Sequence, residues 1–362
     1  MAGETNAVEA AIARFGFGGS VRVTFYTLMR DSIKDGIPVF EALREIENGS
    51  KQLRLFPAHV IGDILNAIRG KRSQGPKTLG EALRPWADPV EATLIDAGEQ
   101  SAKLDVGLNE AANLVQLKNR LQRTIIGEMT YPVILVLMLS GFLWMISSEL
   151  IPVMQDIQPR VKWPAMARLL GWIADHSTFI SAALLGSMVS LAVVFLISAP
   201  RWTGQLRDKF DRWVPPWTIY RKIQSAMVLN AISMLMDAGI PTSSAVNQLG
   251  AIGSPWQRMH MDRIQARMRR GKSDSEAIAG EPGEGMFDPM TGWEITMYGT
   301  RSNFAESMKG LSQRSTDRVE RAIKTSLGLL RNLLMVLVTV MLGMTFSSFM
   351  QITMSMSQRA PT

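Results

Sequence analysis

The chain contains one stretch of sequence twice, since residues 25–131 recur in diverged form at 227–332. Each copy has a Gly-Ile-Pro turn near its start and a later glycine, and a long apolar segment is reached 33 positions after that glycine. The landmarks are Gly36-Ile37-Pro38 with Gly98 in the first copy, and Gly239-Ile240-Pro241 with Gly299 in the second. The repeated unit is therefore a folded segment together with its own apolar anchor.

Three stretches are suited to spanning a membrane, because a bilayer core requires about 20 mostly apolar residues in a helix. They are Pro132–Met154, Phe179–Ala199 and Asn332–Met356. The first carries a single charged residue, Glu149, near its end, and the other two carry none. We interpret Glu149 as an interfacial carboxylate, because a charge costs far less at the interface than at the membrane centre.

Lysine and arginine are distributed unequally among the segments that the spans separate. Residues 1–128 contain 16 of them and residues 200–331 contain 19, whereas residues 155–178 contain three and the tail contains one. Because cytoplasmic segments are enriched in these residues, both large segments are predicted to face the cytoplasm, with a cytoplasmic N-terminus and a periplasmic C-terminus. The middle span has no counterpart in the repeat, and it returns the chain so that both copies share one side.

Helix-start and helix-stop signals recur in both copies and predict a bundle of about six short helices in each. Gly36 is expected to end one helix in a left-handed conformation, and Pro38 is expected at the first position of the next. The other signals are two capping-box pairs and two Asp-Pro helix starts: Thr78 with Glu81, Ser273 with Glu276, Asp88-Pro89 and Asp288-Pro289. We interpret these residues as caps and turns that specify the fold.

A long helix follows in each copy, at Lys103–Thr124 and Ala305–Lys324, and is predicted to continue into the span. The sequence therefore predicts an all-α fold with two homologous cytoplasmic helical-bundle domains and three transmembrane helices. The predicted segments are an N-terminal segment at 1–20, cytoplasmic domain 1 at 21–128, transmembrane helix 1 at 129–154, a periplasmic loop at 155–178, transmembrane helix 2 at 179–199, cytoplasmic domain 2 at 200–331, transmembrane helix 3 at 332–356 and a periplasmic tail at 357–362.

Aromatic and basic side chains are concentrated near the ends of the spans, where interfacial residues are expected. The aromatic residues expected at the inner interface are Tyr131, Trp202, Trp213 and Trp217, and those at the outer interface are Trp163 and Trp172. The basic residues that follow the second span are Arg201, Arg207 and Arg212.

The sequence offers no catalytic or cofactor-binding pattern. The chain has no cysteine, and its three histidines are too far apart in sequence to indicate a metal site. No phosphate-binding loop or hydrolase motif is present. The basic run Arg267–Arg270 is interpreted as a solvated or membrane-proximal face, not as a nucleic-acid site. We expect no catalytic residue, metal or cofactor.

The chain resembles the polytopic inner-membrane platform proteins of type IV pilus and type II secretion machines, the PilC/GspF family. The resemblance covers roughly residues 20–356 and is carried by the two Gly-Ile-Pro turns, by Gly98-Glu99-Gln100-Ser101 with Leu104, by Tyr131-Pro132 and by Glu149-Leu150-Ile151-Pro152. Two departures stand out. Ala102 occupies the position after the serine where the family usually has glycine. In the second copy Gly-Glu has become Gly299-Thr300, one residue is lost before Ser302, and no partner for Glu99 is expected there.

The resemblance implies a non-enzymatic protein at the base of a pilus that oligomerises and contacts other inner-membrane pilus components. It also implies contact with a hexameric assembly ATPase, whose motion passes to pilin or pseudopilin subunits. The short chain before the first copy favours a type IVb or thin-pilus member. An apolar helical face in Ala7–Phe15 suggests docking on the ATPase or on a neighbouring subunit, and a flexible terminus is the alternative interpretation. The candidate motif or partner-contact residues are Gly36, Pro38, Gly98, Glu99, Ser101, Leu104, Tyr131, Pro132, Gly239, Pro241, Gly299 and Ser302.

Two other classes of function remain open from the residues alone. A small oligomeric transporter or channel would be expected to place ionisable groups within its spans, where only Glu149 is a candidate. A membrane-anchored regulator or enzyme would require a catalytic constellation. The sequence does not decide between a pilus and a secretion pseudopilus.

Overall fold

The computed structural model describes residues 16–53, 56–70, 75–157, 159–160, 163–281, 285–300 and 304–357. Two predictions, the docking segment Ala7–Phe15 and the motif residue Ser302, lie outside these residues. The described chain consists of helices and connecting loops and contains no strand, which confirms the all-α prediction.

The first copy folds into six helices, in agreement with the predicted number. The last of them extends well beyond the copy. The helices are α1 Gly19–Lys34, α2 Val39–Leu53, α3 Ala58–Arg69, α4 Leu79–Leu83, α5 Pro89–Gln100 and α6 Leu104–Met145.

Three helices lie between the two copies, after a π-helical turn at Ile146–Leu150 that extends α6. They are α7 Ile151–Ile157, α8 Ala165–Asp175 and α9 Ser177–Arg201. Helix α8 was not predicted, because residues 155–178 were expected to form a loop. It begins after Pro164 without a side-chain cap and therefore lacks the usual start signal.

The second copy repeats the six helices and has one additional helix, α10, before them. Helix α10 also starts without a side-chain cap. The helices are α10 Gln205–Trp213, α11 Trp217–Asp237, α12 Thr242–Ile252, α13 Pro255–Arg269, α14 Asp274–Ala279, α15 Pro289–Gly299 and α16 Phe304–Ser357.

The Gly-Ile-Pro turns end α1 and α11 in the same way. Gly36 and Gly239 have φ angles of +84° and +88°, which glycine adopts without steric cost. The next amide reaches back across each turn, from Ile37 to the Ser32 carbonyl at 3.0 Å and from Ile240 to the Leu235 carbonyl at 2.9 Å. These bonds complete a Schellman motif and confirm the predicted stop signals.

The prolines of these turns lie one position earlier than predicted. Pro38 and Pro241 precede the first helical residue and are therefore N-caps, not the first helical residue. Their carbonyls accept the first helical bonds, from the Ala42 and Ala245 amides at 3.0 Å in each case. Pro241 has an extended backbone, with a ψ angle of 143°, so the helix starts only after it.

Both copies belong to one compact unit, formed by the described residues up to Arg123 and by Ala199–Glu320. A continuous hydrophobic core runs through it, with contributions from both copies. Fully buried members include Phe25, Leu43, Ile61 and Leu94 from the first copy and Leu229, Val246 and Trp256 from the second.

The second compact unit contains Thr124–Ser198 and the residues from Arg321 onward. Its core includes Leu143, Ile151, Trp163, Leu170 and Met341. Large apolar side chains on its helices stay exposed, among them Phe179 and Leu196 on α9, with exposed fractions of 74% and 70%. Exposed apolar faces of this kind are expected of a segment that spans a bilayer.

Among the residues that the structure describes, three helical segments are long and apolar enough to cross a membrane, at Leu104–Ile157, Ser177–Arg201 and Glu306–Met354. The first and third each join a repeat to its span without interruption, as predicted. Pro132 lies inside α6, where it removes one helical hydrogen bond, and Glu149 lies within the π-helical turn.

Three residues assigned to the membrane interfaces are instead buried within the protein. Trp163 is 4% exposed and packs closely against Gly171, where a Cβ atom would lie 3.0 Å from the Trp163 ring. Trp217 is 8% exposed, and Arg207 is fully buried. The positive-inside and aromatic-belt patterns did not reveal this, because they depend on position along the sequence and carry no information about packing.

Candidate functional site

The motif segment Gly98–Leu104 forms the tight junction between α5 and α6. A Cβ atom at Gly98 would lie 2.8 Å from the Cα of Gly107, and one at Gly107 would lie 2.8 Å from the Leu94 carbonyl oxygen. The two glycines therefore let the helix backbones approach more closely than any side chain would allow. Ser101 donates its hydroxyl to the Ala97 carbonyl at 2.8 Å and ends α5, and Leu104 is the first residue of α6.

Ala102, where the family usually has glycine, adopts a left-handed backbone conformation. Its φ angle is +55°, and it is the one non-glycine residue with positive φ in the described chain. The Lys103 amide donates to the Gly98 carbonyl at 2.8 Å, and the Ala102 amide donates to the Glu99 carbonyl at 3.2 Å. This is a Schellman motif built on alanine, so the departure from the family lies at the position where glycine would relieve strain.

Glu99 ties the end of α5 to the start of α4. Its carboxylate accepts the Leu79 amide at 2.8 Å, while the Thr78 hydroxyl accepts the Glu81 amide at 3.1 Å and donates to Asp96. The predicted capping box of Thr78 with Glu81 is therefore confirmed in one half only, because the Thr78 hydroxyl accepts the Glu81 amide but Glu81 does not return a bond to the Thr78 amide. Glu99 instead accepts the next amide, that of Leu79. Burial raises the pKa of Glu99, and the hydrogen bond from the Leu79 amide opposes that rise.

The equivalent junction in the second copy is built differently. Ser273 and Glu276 form the predicted reciprocal capping box, with hydrogen bonds of 3.4 and 3.3 Å. Thr300, in the place of Glu99, donates its hydroxyl to the Met297 carbonyl of its own helix. Gly299 lies against Ser275, whose side chain would overlap any Cβ atom at that glycine. Each copy thus requires its glycine, but only the first uses a carboxylate between the two helices.

A buried charged cluster in the first copy was not predicted. Arg22 donates to both carboxylate oxygens of Glu91, at 2.9 and 3.2 Å, and Tyr26 donates its hydroxyl to the same carboxylate at 2.9 Å. Burial raises the pKa of Glu91, an effect that the Arg22 guanidinium and the Tyr26 hydroxyl oppose. The cluster fastens α1 to α5 across 69 positions of sequence, so no local pattern could indicate it.

A polar seam between the two copies was also not predicted. We define it as the side chains of α6, α11 and α16 that line a cavity of about 490 Å³, including Glu110, Asn230, Lys309 and Ser312. Lys309 bridges Asp237 at 2.9 Å and the buried Glu110 at 3.3 Å. Ser312 donates to the Asn230 side chain at 2.9 Å.

A second ion-pair cluster lies at one end of the seam. Arg120 on α6 pairs with Glu320 at 2.6 Å and with Asp317 at 3.3 Å, both on α16. The two long helices are therefore joined side by side through complementary charges. The pKa of Lys309 is raised, chiefly by its hydrogen bond with Asp237, which keeps its ammonium charged.

The remaining described candidates lie either on helix α6 or in the Gly-Ile-Pro turns. Tyr131 lies on α6 with the Arg331 guanidinium 5.9 Å from its ring centroid, and Pro132 follows it. Gly36, Pro38, Gly239 and Pro241 form the turns described above. Among the residues that the structure describes, no group of three His, Asp or Glu side chains could hold a metal ion.

Comparison with known proteins identifies the family. The family model for type II secretion system protein F matches twice, at residues 25–152 and 228–352, once for each copy together with part of its span. The chain belongs to the type II secretion system protein F family. It is a membrane protein with two family domains and, in the part of the chain that the structure describes, three candidate membrane-spanning helices.

Several relatives in this family carry names from pilus and secretion systems. The chain is 21% identical over 315 residues to toxin coregulated pilus biosynthesis protein E of Vibrio cholerae, which covers 86% of this chain and 90% of that protein. It is 28% identical over 222 residues to type II secretion system protein F of Vibrio cholerae, covering 59% of this chain and 51% of that protein. It is 24% identical over 274 residues to type 4 fimbrial assembly protein PilC of Pseudomonas putida, covering 72% of this chain and 64% of that protein.

Proposed function

We propose that the protein is the inner-membrane platform of a type IV pilus or type II secretion machine, where it couples a cytoplasmic assembly ATPase to the extrusion of pilin. The observation that carries this proposal is the double match of the family, in which each matched region includes both a repeat and part of its membrane span. The role is structural, and it fits a chain whose motif residues serve as caps, turns and helix contacts.

The long helices support a coupling role. Helix α6 and the helical turns after it run from Leu104 to Ile157, and α16 runs from Phe304 to Ser357. Each joins a repeat to its span through continuous backbone hydrogen bonding, which is stiffer than a loop. Because the seam fastens α6 to α16, a displacement of either repeat would act on both helices.

The distribution of charge supports the orientation. Residues 1–128 and 200–331 hold 35 of the 39 lysines and arginines and are therefore assigned to the cytoplasm. In the proposed orientation both repeats face the cytoplasm, where a hexameric ATPase could contact them, and the tail lies in the periplasm. Pilin or pseudopilin subunits, other inner-membrane pilus components and further copies of this chain are the remaining proposed partners.

Deletion of the gene tests the proposed function. We expect the deletion strain to lose surface pili, or secretion of its substrates, while the levels of pilin and ATPase stay unchanged. Expression of the intact chain from a plasmid should restore the phenotype. A second strain expressing residues 19–362 tests whether the first 18 residues dock the ATPase, because docking predicts loss of ATPase capture on the membrane. Normal pili together with normal secretion in the full deletion would contradict the proposal.

A further inference from the structure

Helices α5 and α15 are counterparts in the two copies, yet they differ in how much of their surface is covered. Helix α5 buries seven of its residues: Glu91, Ala92, Leu94, Ile95, Asp96, Ala97 and Gly98. Helix α15 buries only Thr291, Glu294 and Ile295. Both helices start at an Asp-Pro pair, so their positions can be compared directly.

The second copy covers α5. Helices α11 and α12 pack against it, and Gln248, Ala251 and Ile252 of α12 line a pocket together with Thr93, Ala97 and Gln100 of α5. Within the described chain, α15 has no such packing against α1 or α2, which are the counterparts of α11 and α12 in the first copy. The packing of the first two helices of one copy on the fifth helix of the other thus occurs in one direction only.

The uncovered face of α15 is more apolar than the covered face of α5. Counted from the Asp-Pro start, Met290, Trp293 and Met297 take the places of Val90, Thr93 and Ala97. Met290 and Trp293 are 53% and 59% exposed. A large apolar face at helical spacing is costly in water and is typical of a surface that another protein covers.

The counterpart of the α12 surface that covers α5 lies on α2, and it is exposed in the described chain. Gln248 and Ala251 correspond, by their distance from the Gly-Ile-Pro turn, to Glu45 and Asn48 on α2. Both of these side chains are exposed. A second copy of the chain therefore offers the counterpart helices, α1 and α2, with Glu45, Asn48 and Gly49 at the positions of Gln248, Ala251 and Ile252.

We propose that the Met290–Trp293–Met297 face of α15 binds α1 and α2 of a neighbouring copy of this protein. The contact repeats between molecules the packing that joins the two copies within a molecule. It is heterologous, since the two partners contribute different surfaces, and such contacts build rings or filaments. The inference deepens the proposed function, in which the platform is an oligomer, by naming the surface and the partner.

Crosslinking in membranes tests this contact, and the absence of cysteine makes introduced thiols unambiguous. Full-length Trp293→Cys and Glu45→Cys variants, carrying different tags, are co-expressed and treated with a short bis-maleimide. We expect a crosslinked species that contains both tags. A single chain with Thr93→Cys and Gln248→Cys is the positive control, because it should crosslink within itself. Trp293→Cys paired with Asp262→Cys is the matched negative control, since Asp262 is exposed elsewhere on the second copy.

A further variant distinguishes apolar contact from chance proximity. Adding Met297→Glu to the Trp293→Cys chain should reduce the two-tag product roughly tenfold, because a charge would be buried in the interface, while the internal control is unchanged. The proposal is overturned if the internal control crosslinks and the two-tag product does not form. It is equally overturned if Trp293→Cys crosslinks only to itself or to a different protein. Crosslinking reports association alone, so its failure leaves the proposed function intact, and a normal deletion strain leaves the contact intact.

Discussion

Ala102 is the residue at which backbone strain is most evident. Its left-handed conformation costs an alanine about 1 kcal/mol more than a glycine. We expect Ala102→Gly to stabilise the detergent-solubilised protein by about that amount in thermal unfolding. Ala251→Gly is the matched control, because Ala251 is exposed in the right-handed helix α12 and its replacement should destabilise by about 1 kcal/mol. Equal destabilisation by both changes would contradict the role assigned to Ala102.

Glu99 gives a second prediction at the residue scale, concerning the cap on α4. Removing the acceptor with Glu99→Ala should cost about 1 kcal/mol, the usual value of a helix cap, whereas Glu99→Gln keeps an acceptor oxygen and should cost less. Thr300→Ala, at the same place in the second copy, should have little effect because Thr300 caps no other helix. Thermal unfolding of the three variants gives the ranking.

The pKa of Glu99 also predicts a dependence on pH. Because its folded pKa is raised above the ordinary value of 4.5, the folded protein holds more protons than the unfolded chain just above that pH. The contribution of Glu99 to stability should therefore fall as pH rises through this window, and Glu99→Gln should remove that part of the slope. Unfolding midpoints measured from pH 4 to 7 test the sign, and a slope that is unchanged in Glu99→Gln would contradict it.

At the scale of the element, helix α10 is held by a buried charge between aromatic rings. The Arg207 guanidinium lies 5.7 Å from the Trp202 ring centroid and 5.6 Å from that of Tyr220, and it pairs with Asp211 at 3.1 Å. The Trp256 indole donates to the same aspartate at 3.0 Å. The helix that distinguishes the second copy is thereby fastened to α11 and α13.

Arg207→Ala should therefore destabilise the protein by about 3 kcal/mol, because it leaves the Asp211 carboxylate buried without its cation. Arg207→Met combined with Asp211→Asn should recover much of that loss, since the charge is removed and Trp256 keeps an acceptor. Arg212→Ala is the control, and because Arg212 is exposed it should change stability by no more than about 0.5 kcal/mol. If Arg207→Ala and Arg212→Ala reduced stability by similar amounts in thermal unfolding, the buried pair would contribute no more to stability than an exposed arginine does.

The elements predicted correctly are those whose signals are local. The Gly36 and Gly239 turns, the Asp-Pro helix starts and the Ser273 capping box each depend on residues within a few positions, and each is present. Helices α8 and α10 have no side-chain cap and were missed. The Thr78 part of the cap on α4 is also local and is present, whereas the bond from the Leu79 amide to Glu99 joins residues 20 positions apart and was not predicted.

At the scale of the whole molecule, the duplication and the spans could be read from sequence, but the packing of the copies could not. The Lys309–Glu110 pair joins residues 199 positions apart, and the Arg22–Glu91 pair joins residues 69 positions apart. Such contacts produce no periodic pattern in the sequence, because each partner alone resembles an ordinary charged residue on the surface. The continuous core and the polar seam are therefore findings of the structure, and they explain how two repeats could act together.

In the proposed function each repeat acts on its span through one continuous helix. Inserting a flexible Gly-Ser segment between Arg123 and Thr124 would break α6 between repeat and span while leaving both folded. The same insertion between Gly75 and Pro76, in an exposed loop, is the matched control.

The decisive measurement is the number of surface pili, or the amount of secreted substrate, in a deletion strain that expresses each insertion variant at equal membrane levels with equal ATPase capture. Coupling through α6 predicts that the loop insertion restores assembly and the α6 insertion does not. Full assembly with the interrupted α6 would contradict the claim that this helix transmits the motion of the ATPase.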